Sequence, residues 1–365
     1  MKKILPIFIL LLFLFFASKV EAIYNPTLLP NNIFGIHIVD VNDIQAASNL
    51  VNQAHDNKAD WGYVTLVIPD NDLNSDKWSE IFRQLRTNHL IPIVRLATRV
   101  EHANWVAPKE EDMNRWADFL NTLPWPIQNR YVVLWNEPNH AKEWGGHVDP
   151  AAYAHLASAA ISTLKAKSNN FFVLPAGLDL YAPNGPSTMD ATTFWQQMED
   201  SVPGILLRFD GLTSHSYPSH EFSGSPAEDG RHSIVGYQWE LNYLATNYQV
   251  RSDLPVFITE TGWAQNSWLT RDVIADYYSK AFADVWSQDK RIVAVTPFLL
   301  NYQDGLFARF SWRKLGSDEF YPQYSQVQSL AKVIGQPLVM PASKFGEILF
   351  RDKQNFLARL TASLH

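Results

Sequence analysis

The sequence has no cysteine. Disulfides, thiolate metal centres and cysteine nucleophiles are therefore excluded, and a large core must hold the fold. Charge is sparse too: Asp, Glu, Lys and Arg make up 18% of the 365 residues, with 30 basic against 37 acidic side chains. That acidic balance offers little to a phosphate backbone or an anionic lipid surface, so no nucleic acid is expected as a partner. No stretch matches GxGxxG after a first strand, a P-loop, HExxH or a GxSxG elbow. Dinucleotide folds, phosphate-cradling loops, zincins and α/β-hydrolases are thus not indicated. The N-terminal apolar run Ile4–Ala17 has 14 residues, short of the roughly 20 that span a bilayer. With Lys2 and Lys3 before it and Val20-Glu21-Ala22 after it, the run reads as a signal peptide over residues 1–22. Export to the medium or the cell envelope is expected, with an uncleaved membrane anchor as the alternative. Without residues 1–22 the balance is 27 basic against 36 acidic, a net charge of −9.

Apolar side chains, by contrast, are plentiful. Hydrophobic residues make up 46% and aromatics 13%, including 13 Trp, 14 Tyr and 21 Phe. Most belong to a core; a surplus beside an acidic cleft would also suit the apolar C–H faces of sugars. From Ile33 onward, short apolar runs alternate with helical patterns. The runs are Ile33–Ile38, Tyr63–Ile68, Leu90–Leu96, a strand ending at Glu137, Phe171–Leu174, Phe209–Ser214, a strand ending at Glu260, and Ile292–Leu300. Helical spacing follows each, near 42–55, 76–88, 111–123, 150–166, 190–200, 235–247, 271–288 and 323–335. Eight strand–helix pairs in about 300 residues predict an α/β fold, a (β/α)8 TIM barrel over residues 23–335. A doubly wound sheet is the second choice. Residues 336–365 are set apart by Pro337, Pro341 and Gly346, and helical spacing over Phe345–Leu364 predicts a packed C-terminal helix.

Two of the runs end alike. Tyr131-Val132-Val133-Leu134-Trp135-Asn136-Glu137-Pro138 and Pro255-Val256-Phe257-Ile258-Thr259-Glu260-Thr261-Gly262-Trp263 each carry an apolar strand to a glutamate beside a Trp. Pro138 biases Glu137 towards extended backbone, which places the carboxylate at the strand tip. A pair of carboxyl groups across one cleft is what glycosidic-bond hydrolysis requires: one protonated to serve the leaving group, one ionised. Glu137, next to Trp135, suits the acid/base role; Glu260 suits the nucleophile; Asn136 is placed to hydrogen-bond a sugar 2-hydroxyl. The other possibility is that either glutamate caps a loop or pairs with Arg95.

Trp135-Asn136-Glu137-Pro138-Asn139 resembles the acid/base motif on the fourth strand of the clan A glycoside hydrolases, and Ile258-Thr259-Glu260-Thr261-Gly262-Trp263 resembles that clan's nucleophile segment on the seventh. The strand count places the two glutamates on those strands independently. The resemblance implies a retaining enzyme of cellulase-like or xylosidase-like type. It also implies supporting roles for Arg95 after strand three, for His215 and Tyr217 after strand six, which would position the nucleophile and the sugar, and for His37 on strand one. Clan members often present an aromatic after strand eight; Phe298, Tyr302 and Trp312 are the candidates here. His140, Glu143, Trp144 and His147 share the loop after Glu137 and either line a sugar subsite or form a solvated loop; Trp105 and Trp263 are platforms or packing. His215 and His220 lack a third partner at zinc spacing, so no metal is expected.

The resulting expectation is an exported, monomeric, retaining β-glycoside hydrolase that cleaves a β-linked poly- or oligosaccharide without a cofactor. A non-catalytic carbohydrate-binding barrel is the alternative, and a metal hydrolase on the same barrel a third.

Overall fold

A computed structural model describes residues 23–54 and 59–341. The apolar runs form eight strands: β1 Gly35–His37, β2 Gly62–Pro69, β3 Leu90–Ala97, β4 Arg130–Val133, β5 Phe171–Leu174, β6 Leu212–His215, β7 Val256–Glu260 and β8 Ile292–Val295. A helix follows each: α1 Ile44–Val51, α2 Ser75–Thr87, α3 Met113–Thr122, α4 Pro150–Lys167, α5 Ala191–Ser201, α6 Gly236–Tyr248, α7 Arg271–Lys280 and α8 Pro322–Ser329. Local chemistry starts several of them. Asp149 accepts from the Ala152 amide ahead of Pro150 in α4, and Asp190 does the same for Thr192 in α5.

These eight strands pair in parallel, in the orders β1–β2–β3–β4–β5 and β8–β7–β6, and a short antiparallel pair, Val100–Glu101 with Asn104–Trp105, lies in the loop after β3. The two sheets meet at both edges. Phe34, just before β1, bridges Val295 of β8, and Asp210, just before β6, donates its amide to Val173 of β5. The eight strands thus surround one interior, the TIM-barrel arrangement.

Period-two alternation sorts each strand between two cores. Tyr63, Ile91, Ile93, Tyr131, Val133, Phe172, Leu174 and Phe257 fill the barrel. The alternate residues Val64, Val94, Val132 and Val173 pack outward under the helices, with Leu85, Trp116 and Leu164. The same alternation delivers the site. On β3, Ile91 and Ile93 point inward, so Arg95 reaches the mouth; on β6, His215 is the inward residue and its neighbour Ser214 faces Glu240 of α6.

Two expectations change. The segment 271–288 is not one helix: α7 stops at Lys280, a π turn runs over Ala281–Val285, and a tight turn over Trp286–Gln288. The change of pitch turns Phe282 onto Phe34, ring centroids 4.3 Å apart, and brings Trp286 Nε1 to the Ile234 carbonyl. The last barrel helix ends at Ser329 rather than near 335, where Lys332 donates to the Val327 and Gln328 carbonyls and closes its final turn. Beyond it, Ile334 is bridged to Asp60 and Val339 to Ile127. The signal peptide over 1–22 and the helix over 345–364 lie outside the described residues.

Candidate active site

A cleft of about 700 Å³ crosses the carboxyl ends of the strands, where barrel enzymes place their chemistry. Glu137 and Glu260 both line it, with Arg95, Asn136, His215 and Tyr217. Glu137, His215 and Glu260 each bring a side-chain ligand atom within 4.8 Å of the others.

β7 ends on Glu260, as its sequence suggests. Arg95 Nη1 donates to Glu260 Oε1, and Tyr217 Oη donates to Oε2 at 3.1 Å. Burial alone would push the Glu260 carboxyl up. The His215 imidazolium and the Arg95 guanidinium outweigh it and hold Glu260 down at about 2. His37 Nδ1 lies 3.9 Å from Glu260 Oε1. Its own ring, fully enclosed and next to Arg95, is pushed down to about 3 and is therefore neutral, so Arg95 and His215 supply the charge that Glu260 faces.

Glu137 is reached differently from the expectation. β4 stops at Val133; Leu134 still donates its amide to the Leu174 carbonyl of β5, and the next three residues leave the ladder with Trp135 at φ 69° and Glu137 at φ 31°. Pro138 disfavours the right-handed helical region at Glu137, and the chain meets that restriction with positive φ rather than with extended backbone. The turn is tied down on both sides: the Glu137 amide donates to the Gly177 carbonyl, and Asn139 Nδ2 donates to the Asp179 and Met189 carbonyls.

His215 also departs from its expected role. Its Nδ1 lies 2.8 Å from Glu137 Oε1, so its hydrogen bond serves the acid/base candidate and not the nucleophile candidate. Burial would lower this imidazole, but Glu260 and then the Glu137 hydrogen bond raise it above the usual histidine range. A shift of register between Ser214 and His215 against β7 turns the ring. Gly177 makes room for it: a Cβ there would lie 2.3 Å from His215 Cδ2.

Trp263 and Trp144, both candidates for the sugar's surroundings, are core residues with 1% of their surface exposed. Trp263 Nε1 donates to the Gly224 carbonyl at 2.7 Å, anchoring the loop after β6. Trp144 packs edge-on against Trp135, 5.9 Å between centroids, and forms the layer behind that cleft residue. Of the three aromatics considered after β8, Phe298 reaches the cleft and meets His37 edge-on at 5.3 Å, while Trp312 is fully buried against Tyr278. Phe222, Phe307, Phe310, Asp179, Tyr181 and Glu221 also line the cleft. Sequence reasoning did not single these out, because long loops carry no periodicity. The one available signal was the concentration of aromatics in the loops that follow β6 and β8.

Around Glu137, His140 Nε2 lies 2.7 Å from Asp179 Oδ2. Burial opposes the His140 charge, but the Asp179 hydrogen bond raises the imidazole overall. Burial, and then the like charge of Glu137, push Glu143 above the usual glutamate range. The Glu137–His215–Glu260 spacing would also accommodate a metal ion. Arg95 bonded to the same Glu260 carboxylate and the raised His215 oppose a cation there, and the donor set suits proton and carboxylate chemistry better.

No protein-family profile matches the chain, and no curated protein matches its sequence. Solved structures do. An endo-β-1,4-glucanase from Xanthomonas axonopodis pv. citri superposes with a TM-score of 0.51 at 13% identity, over 81% of this chain and 97% of that one. A GH128 (subgroup II) endo-β-1,3-glucanase from Sorangium cellulosum gives 0.51 at 14% identity, over 83% and 98%. A glucosidase from Croceicoccus marinus gives 0.55 at 11% identity, over 82% and 68%. At these identities the likeness is one of fold, and the fold that this chain shares with the two glucanases and the glucosidase is the TIM barrel.

Proposed function

We propose that the protein is a retaining β-glycoside hydrolase, with Glu260 as nucleophile and Glu137 as acid/base. The observation that carries this reading is the approach of the two carboxylates across the cleft, an oxygen of each within 4.8 Å of the other. Retaining pairs sit about 5–5.5 Å apart, whereas inverting pairs need about 6.5–9.5 Å to admit a water.

The electrostatics support Glu260 as the nucleophile. Glu260, ionised and fixed by Arg95 and Tyr217, attacks the anomeric carbon as the glycosidic C–O bond breaks. The Glu137 proton passes to the departing oxygen. With Oε1 engaged by His215, Oε2 is the oxygen left to carry that proton. Glu137, now a carboxylate, then takes a proton from water, whose oxygen displaces Glu260 from the sugar.

The structural neighbours act on β-1,4- and β-1,3-glucans or are glucosidases, which makes β-linked glucans and glucosides the first substrates to try. This reading takes residues 23–335 as the catalytic unit, preceded by a leader that directs export.

The test is a panel of β-glucans and aryl β-glycosides, with proton NMR of the first-formed sugar. We expect an initial β-anomer, no turnover in Glu260→Ala, and hydrolysis in Glu137→Ala confined to substrates with good leaving groups. An initial α-anomer, or full activity without Glu260, would overturn the assignment.

A further inference from the structure

The chemistry above gives no role to Glu143, although it borders the cleft with only 11% of its side chain exposed. It sits on a tight turn, Ala141–Glu143, whose start is pinned by the Ala141 amide on the Ser187 carbonyl. Its Oε2 accepts from Asn136 Nδ2 at 3.3 Å.

The orientation of Asn136 is settled by its other neighbour. Arg95 carries donors only, so the Asn136 atom 2.6 Å from Arg95 Nη1 is the amide oxygen. The amide nitrogen consequently faces Glu143, an acceptor. Asn136 is held at both ends, by the guanidinium that also binds Glu260 and by Glu143. Its nitrogen has two N–H groups; Glu143 takes one, and the second has no partner among the described residues. That free donor lies in the cleft wall next to Glu137. A sugar whose anomeric carbon lies between Glu137 and Glu260 offers one hydroxyl on the adjacent carbon, the 2-hydroxyl.

We propose that Glu143 is a positioning residue, which aims the second Asn136 N–H at the 2-hydroxyl of the sugar being transferred. The proposal rests on the glycosidase reading. Lys142 Nζ, 3.9 Å from Glu143 and mostly in solvent, adds charge without constraint. Contacts to the 2-hydroxyl strengthen as the oxocarbenium character develops, so a loosely held amide forfeits rate more than binding.

The experiment compares kcat/KM for an aryl β-glycoside and its 2-deoxy counterpart in the wild type, Glu143→Ala and Glu143→Gln. Glutamine keeps an acceptor oxygen and should retain most of the wild-type preference for the 2-hydroxy substrate. Alanine should cut that preference about tenfold, the worth of one oriented hydrogen bond, mainly through kcat. Its rate on the 2-deoxy substrate should stay near that of the wild type. A merely structural Glu143 would lower both substrates in proportion and leave the ratio unchanged; that result, with an active wild type, overturns this role alone. A wild type inactive on every β-glycoside would remove the glycosidase reading, and this role with it.

Discussion

Replacing Arg95 with methionine tests the electrostatic account of Glu260 most directly. The guanidinium lies on Glu260 Oε1, with 13% of its side chain exposed, and the carboxylate is 10% exposed, so water screens the pair weakly. At an effective dielectric of about 20, two unit charges near 4 Å interact by about 4 kcal/mol, or about 3 pKa units. His215 remains as the other cation near Glu260 and limits the loss. A rise of about 1–2 units is the reasonable size, taking the carboxyl from about 2 towards 3 or 4. Methionine spares the packing but also frees the Asn136 oxygen, so the height of the activity profile will fall as well. The position of the acidic limb is the readout, because in kcat/KM it reports the free enzyme's nucleophile. The assay is kcat/KM against pH on an activated aryl β-glycoside, in short incubations, with circular dichroism confirming the fold at each pH. An acidic limb that superimposes on the wild type would show that Arg95 does not set the charge state of Glu260.

The barrel was legible because buried parallel strands write themselves as apolar runs, and because caps such as Asp149-Pro150 mark where helices begin. The same one-dimensional signal predicted a strand ending on Glu260, and the ladder of β7 does continue to that residue. It misjudged the path to Glu137, because the ladder of β4 releases the chain after Leu134 and the Glu137 amide turns to the Gly177 carbonyl instead. His215 was correctly placed at the mouth and wrongly partnered. Which carboxylate its Nδ1 meets depends on one register shift and on the missing Cβ of Gly177, and neither has a signature in local sequence. Trp263 was left between platform and packing, and Trp144 between a sugar subsite and a solvated loop, because Trp next to a catalytic motif invites both readings. Yet each points away from the cleft, where a ring this large is worth more as packing. Phe222, Phe307 and Phe310 were invisible for the opposite reason: the loops after β6 and β8 bring them together, and only the closed barrel makes those loops neighbours.

Two further outcomes follow from buried groups outside the reaction. Trp263→Ala removes a fully buried ring and the hydrogen bond to Gly224, and should cost about 3–5 kcal/mol. Calorimetry showing an unchanged melting temperature would return Trp263 to the surface of the cleft. Glu240, enclosed behind β6 and held by Ser214 Oγ, is pushed up to about 8 by burial, against 4.5 for a free glutamate. An acid whose folded-state pKa is raised keeps a proton that the unfolded chain releases. Its contribution is therefore fully present below pH 4.5 and drains away as pH climbs to about 8. At 1.36 kcal/mol per unit the full loss approaches about 5 kcal/mol, a ceiling because the interior relaxes. Glu240→Gln cannot lose that proton and still accepts from Ser214. Its unfolding free energy should fall less than the wild type's between pH 5 and pH 8 in parallel urea titrations. Because Glu240 faces the outer side of β6 while His215 faces the cleft, activity near neutral pH should change little. Two stability profiles that run parallel across that interval would mean that Glu240 is already ionised in the fold, and that the space behind β6 is wetter than its packing indicates.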